Sequence, residues 1–176
     1  MDSYGTEAGA RVAATPRIYI IMGVCGCGKT TVGRLLATRI GAQFVDADDF
    51  HPPGNRVKLG SGIPLTDEDR WPWYARLRTL IDANLASGGS IVLACSALKE
   101  TYRRVLDPNY DPAVRFIWLA GSYELIAERM AARQGHFMPA SLLQSQFATL
   151  EPPPYALRVE VGPVPERIVE QIVSQP

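Results

Sequence analysis

The strongest chemical signal in this chain is the sequence GVCGCGKT at residues 23–30. It matches G-x-x-x-x-G-K-[ST], a loop whose backbone N–H groups surround the phosphates of a nucleoside triphosphate. In such a loop the lysine, here Lys29, reaches the β- and γ-phosphates, and the hydroxyl of Thr30 binds Mg²⁺. The predicted nucleotide-binding residues are Gly23, Val24, Cys25, Gly26, Cys27, Gly28, Lys29, Thr30 and Thr31.

Two carboxylates, Asp46 and Asp48, follow the next short apolar segment. Side chains alternate along an extended chain, so we expect both carboxylates to point the same way. Beside a triphosphate, one carboxylate holds Mg²⁺ and the other accepts the proton of an attacking hydroxyl. The spacing alone does not say which does which, and a solvated acidic turn is the alternative.

Basic side chains form three later groups that could bind anions. Charge develops on the equatorial oxygens during phosphoryl transfer, and such side chains neutralise it. For any single arginine, surface solubility is an equally good explanation. The groups are His51, Arg56 and Lys58; then Lys99 and Arg103; then Arg129 and Arg133, which precede the segment Gln134–Phe137.

Short apolar segments alternate with helical patterns, which predicts a parallel sheet with helices on both faces. Ligands of such a sheet bind beyond the carboxyl ends of its strands. The predicted strands are 17–22, 43–46, 90–96, 114–119 and 157–161, and the predicted helices are 29–40, 73–86, 98–106, 122–133, 140–150 and 165–174. A polar stretch from 47 to about 70, rich in proline and glycine, interrupts the alternation and is expected to bind substrate.

Composition narrows the class of protein. The chain has 176 residues, 47% of them hydrophobic, and its 18 basic and 18 acidic side chains give no net charge. This predicts one globular domain from 17 to 176 after a disordered tail at 1–16, without a field that would attract nucleic acid or a membrane. The three cysteines do not suggest disulfides, which favours the cytoplasm. If Cys25 and Cys27 are thiolates, their oxidation would block nucleotide binding.

Four blocks in order give the chain a family resemblance: MGVCGCGKTTVG, DADDFHPPGNRVKLGSGIPLTDEDRWPW, CSALKETYRRVL and ARQGHFMPASLLQSQFATLEPP. Over about residues 17–175 it resembles the small gluconate kinases, which are P-loop kinases related to shikimate and adenylate kinases. The resemblance implies a five-stranded parallel α/β fold with a mobile lid near 129–140. It also implies a homodimer that phosphorylates D-gluconate with ATP and Mg²⁺.

The resemblance also implies individual roles. Thr30 and Asp46 would hold Mg²⁺, Asp48 would be the general base, and Lys29, Arg129 and Arg133 would serve catalysis, with 161–166 near adenine. The implied substrate-binding residues are Asp48, His51, Arg56, Lys58, Asp69, Arg70, Lys99, Arg103 and His136, with Lys58 or Arg103 meeting the carboxylate. The alternatives are another small-metabolite kinase, such as a shikimate kinase, or a nucleotide-binding module without catalysis.

Overall fold

The computed structural model describes residues 17–132 and 140–175. The predicted tail at 1–16, Arg133 and His136 lie outside these residues. Five parallel strands form one sheet in the order β2-β3-β1-β4-β5. They are β1 (Ile18–Met22), β2 (Gln43–Asp46), β3 (Ile91–Ala94), β4 (Val114–Ala120) and β5 (Leu157–Glu160). The predicted fold class is confirmed.

Helices cover both faces of this sheet. They are α1 (Lys29–Ile40), α2 (Pro53–Gly60), α3 (Asp67–Ser87), α4 (Glu100–Leu106), α5 (Tyr123–Ala131), α6 (Ala140–Thr149) and α7 (Pro165–Ser174). A hydrophobic core lies on each face of the sheet, and successive side chains of the central strand β1 point into different cores. Ile20 packs with α3 and α4, and Ile21 packs with α1, α5 and α7. Among the described residues, no helix is both long and apolar enough to cross a membrane.

The segment from 47 to 70 is more regular than the sequence predicts. It contains a 3₁₀ turn at Ala47–Phe50, the helix α2 and the first residues of α3. The predicted start of α3 at 73 is wrong by six residues. Thr66 and Asp69 form a reciprocal capping box there, and this stabilises the helix end although Pro72 lacks a backbone N–H.

Candidate active site

The loop between β1 and α1 has the backbone geometry of an anion-binding site. Gly23, Gly26 and Gly28 have φ angles of 141°, 77° and 101°, a region that other residues rarely adopt. A Cβ atom on Gly26 would lie 2.6 Å from Cγ of Met130, so the position also requires glycine for space. Because α1 begins at Lys29, the positive end of its dipole lies at the loop.

Lys29 lies across this loop. Its ammonium donates to the carbonyl oxygens of Gly23 and Val24, at 3.1 and 3.0 Å. The backbone N–H of Cys25 donates to Oε1 of Gln146 on α6, at 2.6 Å. The loop is therefore held from both sides, by its own lysine and by a glutamine more than a hundred residues further along the chain.

A cavity of about 410 Å³ opens in front of the loop. Six of the nine predicted nucleotide-binding residues line it, whereas Val24 and Cys27 are buried in the core and Gly23 also lies behind the surface of the loop. The acidic pair, His51 and Arg70 line the same cavity. The lining residues are Cys25, Gly26, Gly28, Lys29, Thr30, Thr31, Asp46, Asp48, His51, Leu59, Pro64, Leu65, Arg70, Trp73, Ala94, Cys95, Ser96, Leu142 and Gln146.

Asp46 and Asp48 share this cavity, but the predicted reason is wrong. Only Asp46 belongs to a strand, and Asp48 lies in the 3₁₀ turn that follows. Oδ1 of Asp46 accepts from the backbone N–H of Asp48 at 3.1 Å, and its Oδ2 lies 3.4 Å from Oγ1 of Thr30. The turn, rather than strand alternation, brings the two carboxylates together.

Asp48 presents an exposed carboxylate to the cavity beside a buried histidine. Nε2 of His51 lies 3.7 Å from Oδ1 of Asp48. His51 lowers the pKa of Asp48 below its usual value, and burial opposes this while Lys29 adds to it. Asp48 therefore stays ionised near neutral pH, as a proton acceptor must be.

Arg70 is a predicted substrate-binding residue, and its side chain lines this cavity. It lies one helical turn after Asp67, whose Oδ1 is 3.5 Å from its guanidinium. Among the described residues, Lys29 and Arg70 are the lysines and arginines that line the cavity. Lys29 belongs to the phosphate-binding loop, so Arg70 is the cation that the rest of the cavity lining supplies.

Four other predicted substrate-binding residues do not line the cavity and contact neighbouring residues instead: Arg56, Lys58, Asp69 and Lys99. Lys58 donates to both carboxylate oxygens of Asp69, at 2.7 Å each. Lys99 lies 3.1 Å from Oδ2 of Asp67. Arg56 donates to the backbone carbonyls of Asp49 and His51.

Arg103 does not line the cavity in front of the phosphate-binding loop. Its side chain is 2% exposed, and its guanidinium donates to the carbonyl oxygens of Ala97, Leu98 and Glu151 at 2.8–3.0 Å. It also contacts the Glu100 carboxylate at 3.1 Å. These contacts make Arg103 a structural residue that holds the loop after β3, so its prediction as a ligand of the carboxylate does not agree with its position.

Arg129 lies at the other end of the site. Its guanidinium donates to the carbonyl oxygen of Gly162 at 3.4 Å, in the segment predicted to lie near adenine. It does not line the cavity described above.

Three contributors to the site were not predicted: Asn55, Trp73 and Gln146. Trp73 is buried in the core, and its ring also stacks on His51 with centroids 4.1 Å apart. Asn55 lies four residues after His51, but His51 precedes α2, so helical spacing could not have identified it. Gln146 had no signal in its own segment, because its contact depends on the packing of α6.

Cys25 and Cys95 lack the environment of reactive thiolates. Burial raises the pKa of the Cys25 thiol, although Lys29 opposes the shift. Burial raises the pKa of Cys95 to about 12. Since the thiolate is the reactive form, the hypothesis of a redox-sensitive loop loses its electrostatic basis at Cys25.

The parallel sheet, the phosphate-binding loop after β1 and the carboxylate that faces it together define a P-loop kinase. The family model AAA_33, described as an AAA domain, matches residues 18–153. The fold is also that of shikimate kinase from Aquifex aeolicus, with a TM-score of 0.56 at 15% identity over 89% of this chain and 94% of that one.

Sequence comparison identifies the family within this class. The chain is 42% identical to gluconokinase of Gluconobacter oxydans over 96% of each chain, and 47% identical to the thermosensitive gluconokinase of Escherichia coli over 77% of this chain and 72% of that one. A crystal structure of a gluconokinase from Sinorhizobium meliloti superposes with a TM-score of 0.81 at 42% identity, covering 90% of each chain. The chain belongs to the gluconokinase family.

Proposed function

We propose that this chain transfers the γ-phosphoryl group of ATP to the primary hydroxyl of D-gluconate, which gives 6-phospho-D-gluconate. Its relatives are named gluconokinases at 42–47% identity over most of the chain. The observation that carries the proposal is a single cavity lined both by the phosphate-binding loop and by Asp48 and Arg70. Donor and acceptor would then meet between them, as positioned transfer requires.

The phosphate side fits ATP and Mg²⁺. Loop N–H groups, Lys29 and the start of α1 would bind the phosphates. Thr30 and Asp46 supply oxygen donors 3.4 Å apart, the ligand type that Mg²⁺ prefers. Among the described residues, no cluster of three acidic, histidine or cysteine side chains could hold a metal. This agrees with an ion that takes its other ligands from water and substrate phosphates.

Asp48 is the proposed general base. It is ionised, exposed to the cavity and close to the phosphate-binding loop, so it can accept the proton of the attacking hydroxyl. Bound Mg²⁺ would neutralise phosphate charge, and Lys29 would stabilise the charge that develops on the transferred group.

Arg70 is the proposed partner of the gluconate carboxylate. Lys58 is held by Asp69, and Arg103 is buried against backbone carbonyls. Arg70 lines the cavity and is 31% exposed, so its fork of donors can bind a carboxylate in a bidentate manner. His51 would contact the sugar hydroxyls nearest Asp48.

We also propose that Arg129, together with Arg133 and His136, belongs to a lid that closes over the phosphates. The contact from Arg129 to Gly162 puts this arginine beside the proposed adenine segment. Closure would exclude water, so that the sugar hydroxyl attacks rather than a water molecule.

A cytoplasmic homodimer is the proposed working state. Cys25 and Cys95 are free thiols, which suits a reducing compartment. Exposed apolar side chains on and after α2, Val57 at 69% and Ile63 at 52%, offer surface for a second copy. Light scattering on the full chain tests the dimer, and a monomer at micromolar concentration would contradict it.

An ADP-release assay with Mg·ATP tests the reaction, comparing D-gluconate, shikimate, AMP and no acceptor. We expect release to depend on gluconate. Asp48→Asn should lower kcat by about 10²–10⁴ and change ATP affinity little. Asp49→Asn is the matched control, because this neighbouring carboxylate does not line the cavity. Release without dependence on gluconate would overturn the proposed substrate.

A further inference from the structure

Asn55 is a buried polar residue that the proposed reaction does not yet use. It is 5% exposed on α2, and its side-chain nitrogen donates to the backbone carbonyl of Asp69 at 2.8 Å. A carbonyl oxygen can only accept, so this contact fixes which end of the amide carries the N–H groups. The same nitrogen lies 3.4 Å from Nδ1 of His51.

This contact determines which nitrogen carries the proton when the His51 ring is neutral. An amide N–H can only donate, so Nδ1 must accept and carry no proton. In the neutral ring the proton then lies on Nε2, the nitrogen nearest Oδ1 of Asp48. The two sides of the imidazole therefore have opposite roles: Nδ1 accepts from Asn55, and Nε2 donates toward the carboxylate.

The plane of the ring is fixed as well. His51 is 7% exposed and stacks on Trp73 with an interplanar angle of 21°. Trp73 in turn donates from Nε1 to the carbonyl of Ala47 at 2.7 Å, which ties it to the turn that contains Asp48. The Nε2–Oδ1 distance of 3.7 Å is longer than a direct hydrogen bond, and rotation of the exposed Asp48 carboxylate can shorten it.

We propose that Asn55 is a positioning residue that keeps His51 as the neutral Nε2–H tautomer, so that this N–H orients the carboxylate of Asp48. One oxygen of Asp48 then faces His51, and the other is left to accept the proton of the acceptor hydroxyl. The other tautomer would direct a lone pair at the carboxylate and repel it. The catalytic consequence rests on the proposed role of Asp48 as base, whereas the tautomer itself does not.

The charged side chains around the ring are of both signs. Asp48 and Asp46 line the cavity beside it, and Lys29 and Arg70 line the same cavity with opposite charge. From α2, Arg56 donates to the backbone carbonyl of His51 rather than to the ring.

Long-range ¹H–¹⁵N spectra of the full chain labelled at histidine test the tautomer directly. The chain has two histidines, so His136→Gln assigns the signals. We expect His51 to carry one proton, on Nε2, near neutral pH. A proton on Nδ1, or protons on both nitrogens, would overturn the proposal. This result is independent of whether gluconate is the substrate.

Kinetics of Asn55→Asp test the consequence. The variant keeps the shape and replaces the donor with an acceptor, so Nδ1 should become protonated and kcat should fall by about 10- to 100-fold. The KM for ATP should change much less. Asn84→Asp is the control, because Asn84 also donates to a backbone carbonyl within a helix but lies away from the cavity. An unchanged kcat in folded Asn55→Asp would overturn the proposal.

Variants of His51 separate orientation from packing. The amide nitrogen of glutamine can occupy the place of Nε2, whereas that of asparagine reaches only the place of Nδ1. We therefore expect His51→Gln to retain a higher kcat than His51→Asn. Equal losses in both folded variants would contradict the role of the Nε2–H donor.

Discussion

Replacing Arg103 with lysine distinguishes a structural arginine from one that binds substrate. The guanidinium has five N–H donors, and these contact three backbone carbonyls, the Tyr155 hydroxyl and the Glu100 carboxylate. A lysine ammonium has three donors without the planar fork, so at least two of these acceptors lose their partner. The charge remains, and the change therefore isolates geometry.

The expected cost follows from the buried acceptors. Each buried polar group left without a partner costs about 1–3 kcal/mol, so Arg103→Lys should lower the free energy of unfolding by about 2–5 kcal/mol. For a chain of this size that corresponds to roughly 10 °C in Tm. Native domains have about 5–15 kcal/mol of stability, so the variant should still fold at low temperature.

Urea denaturation measures the loss of stability, and gluconate kinetics at low temperature measure any loss of substrate binding. We expect a lower midpoint with an unchanged m value and a nearly unchanged KM for gluconate. Arg104→Lys is the control, because that neighbour on α4 is 47% exposed and should lose little. An unchanged midpoint together with a tenfold higher KM would refute the reasoning and return Arg103 to the substrate carboxylate.

Three further outcomes are expected. His51 holds the pKa of Asp48 low, and the proposed base works only when it is ionised. His51→Ala should therefore raise the pKa of Asp48, so that kcat falls at a higher pH than in the wild type as the solution is acidified. An acid limb of the kcat profile that does not move would contradict this. Since burial raises the pKa of Cys25, mild peroxide should leave activity unchanged, and rapid inactivation would oppose that view. Gly26→Ala should weaken ATP binding in calorimetry, because φ is +77° and its Cβ would overlap Met130; wild-type affinity would show that the loop adapts.

Local patterns were sufficient for the nucleotide side of the site. The phosphate-binding loop, its flanking strand and α1 are contiguous in sequence, so the residue types alone predict their arrangement. The five strands were also predicted, because buried parallel strands have continuous apolar segments. Their ends agree with the predicted ones to within two residues.

The acceptor side depends on contacts that no local pattern contains. A cationic residue after β3 could face substrate or the protein interior, and Arg103 faces the interior, where it donates to the carbonyl oxygens of Ala97 and Leu98. Lys58 pairs with Asp69, 11 positions away, through a contact between α2 and the first turn of α3. The residue types predicted a positive charge in the cavity, but only the folded structure shows that Arg70 supplies it.

The position of Asp69 has a consequence for how acceptor preference can diverge. Its carboxylate receives Lys58 and caps α3, and its carbonyl holds Asn55, so one residue fastens α2 mainly through polar contacts. The nucleotide side depends instead on the apolar core beneath the sheet. Substitutions in this short arm can therefore reshape the sugar-acid pocket across a lineage while the machinery for ATP stays intact. Acceptor preference can therefore change without any change in the residues that bind ATP.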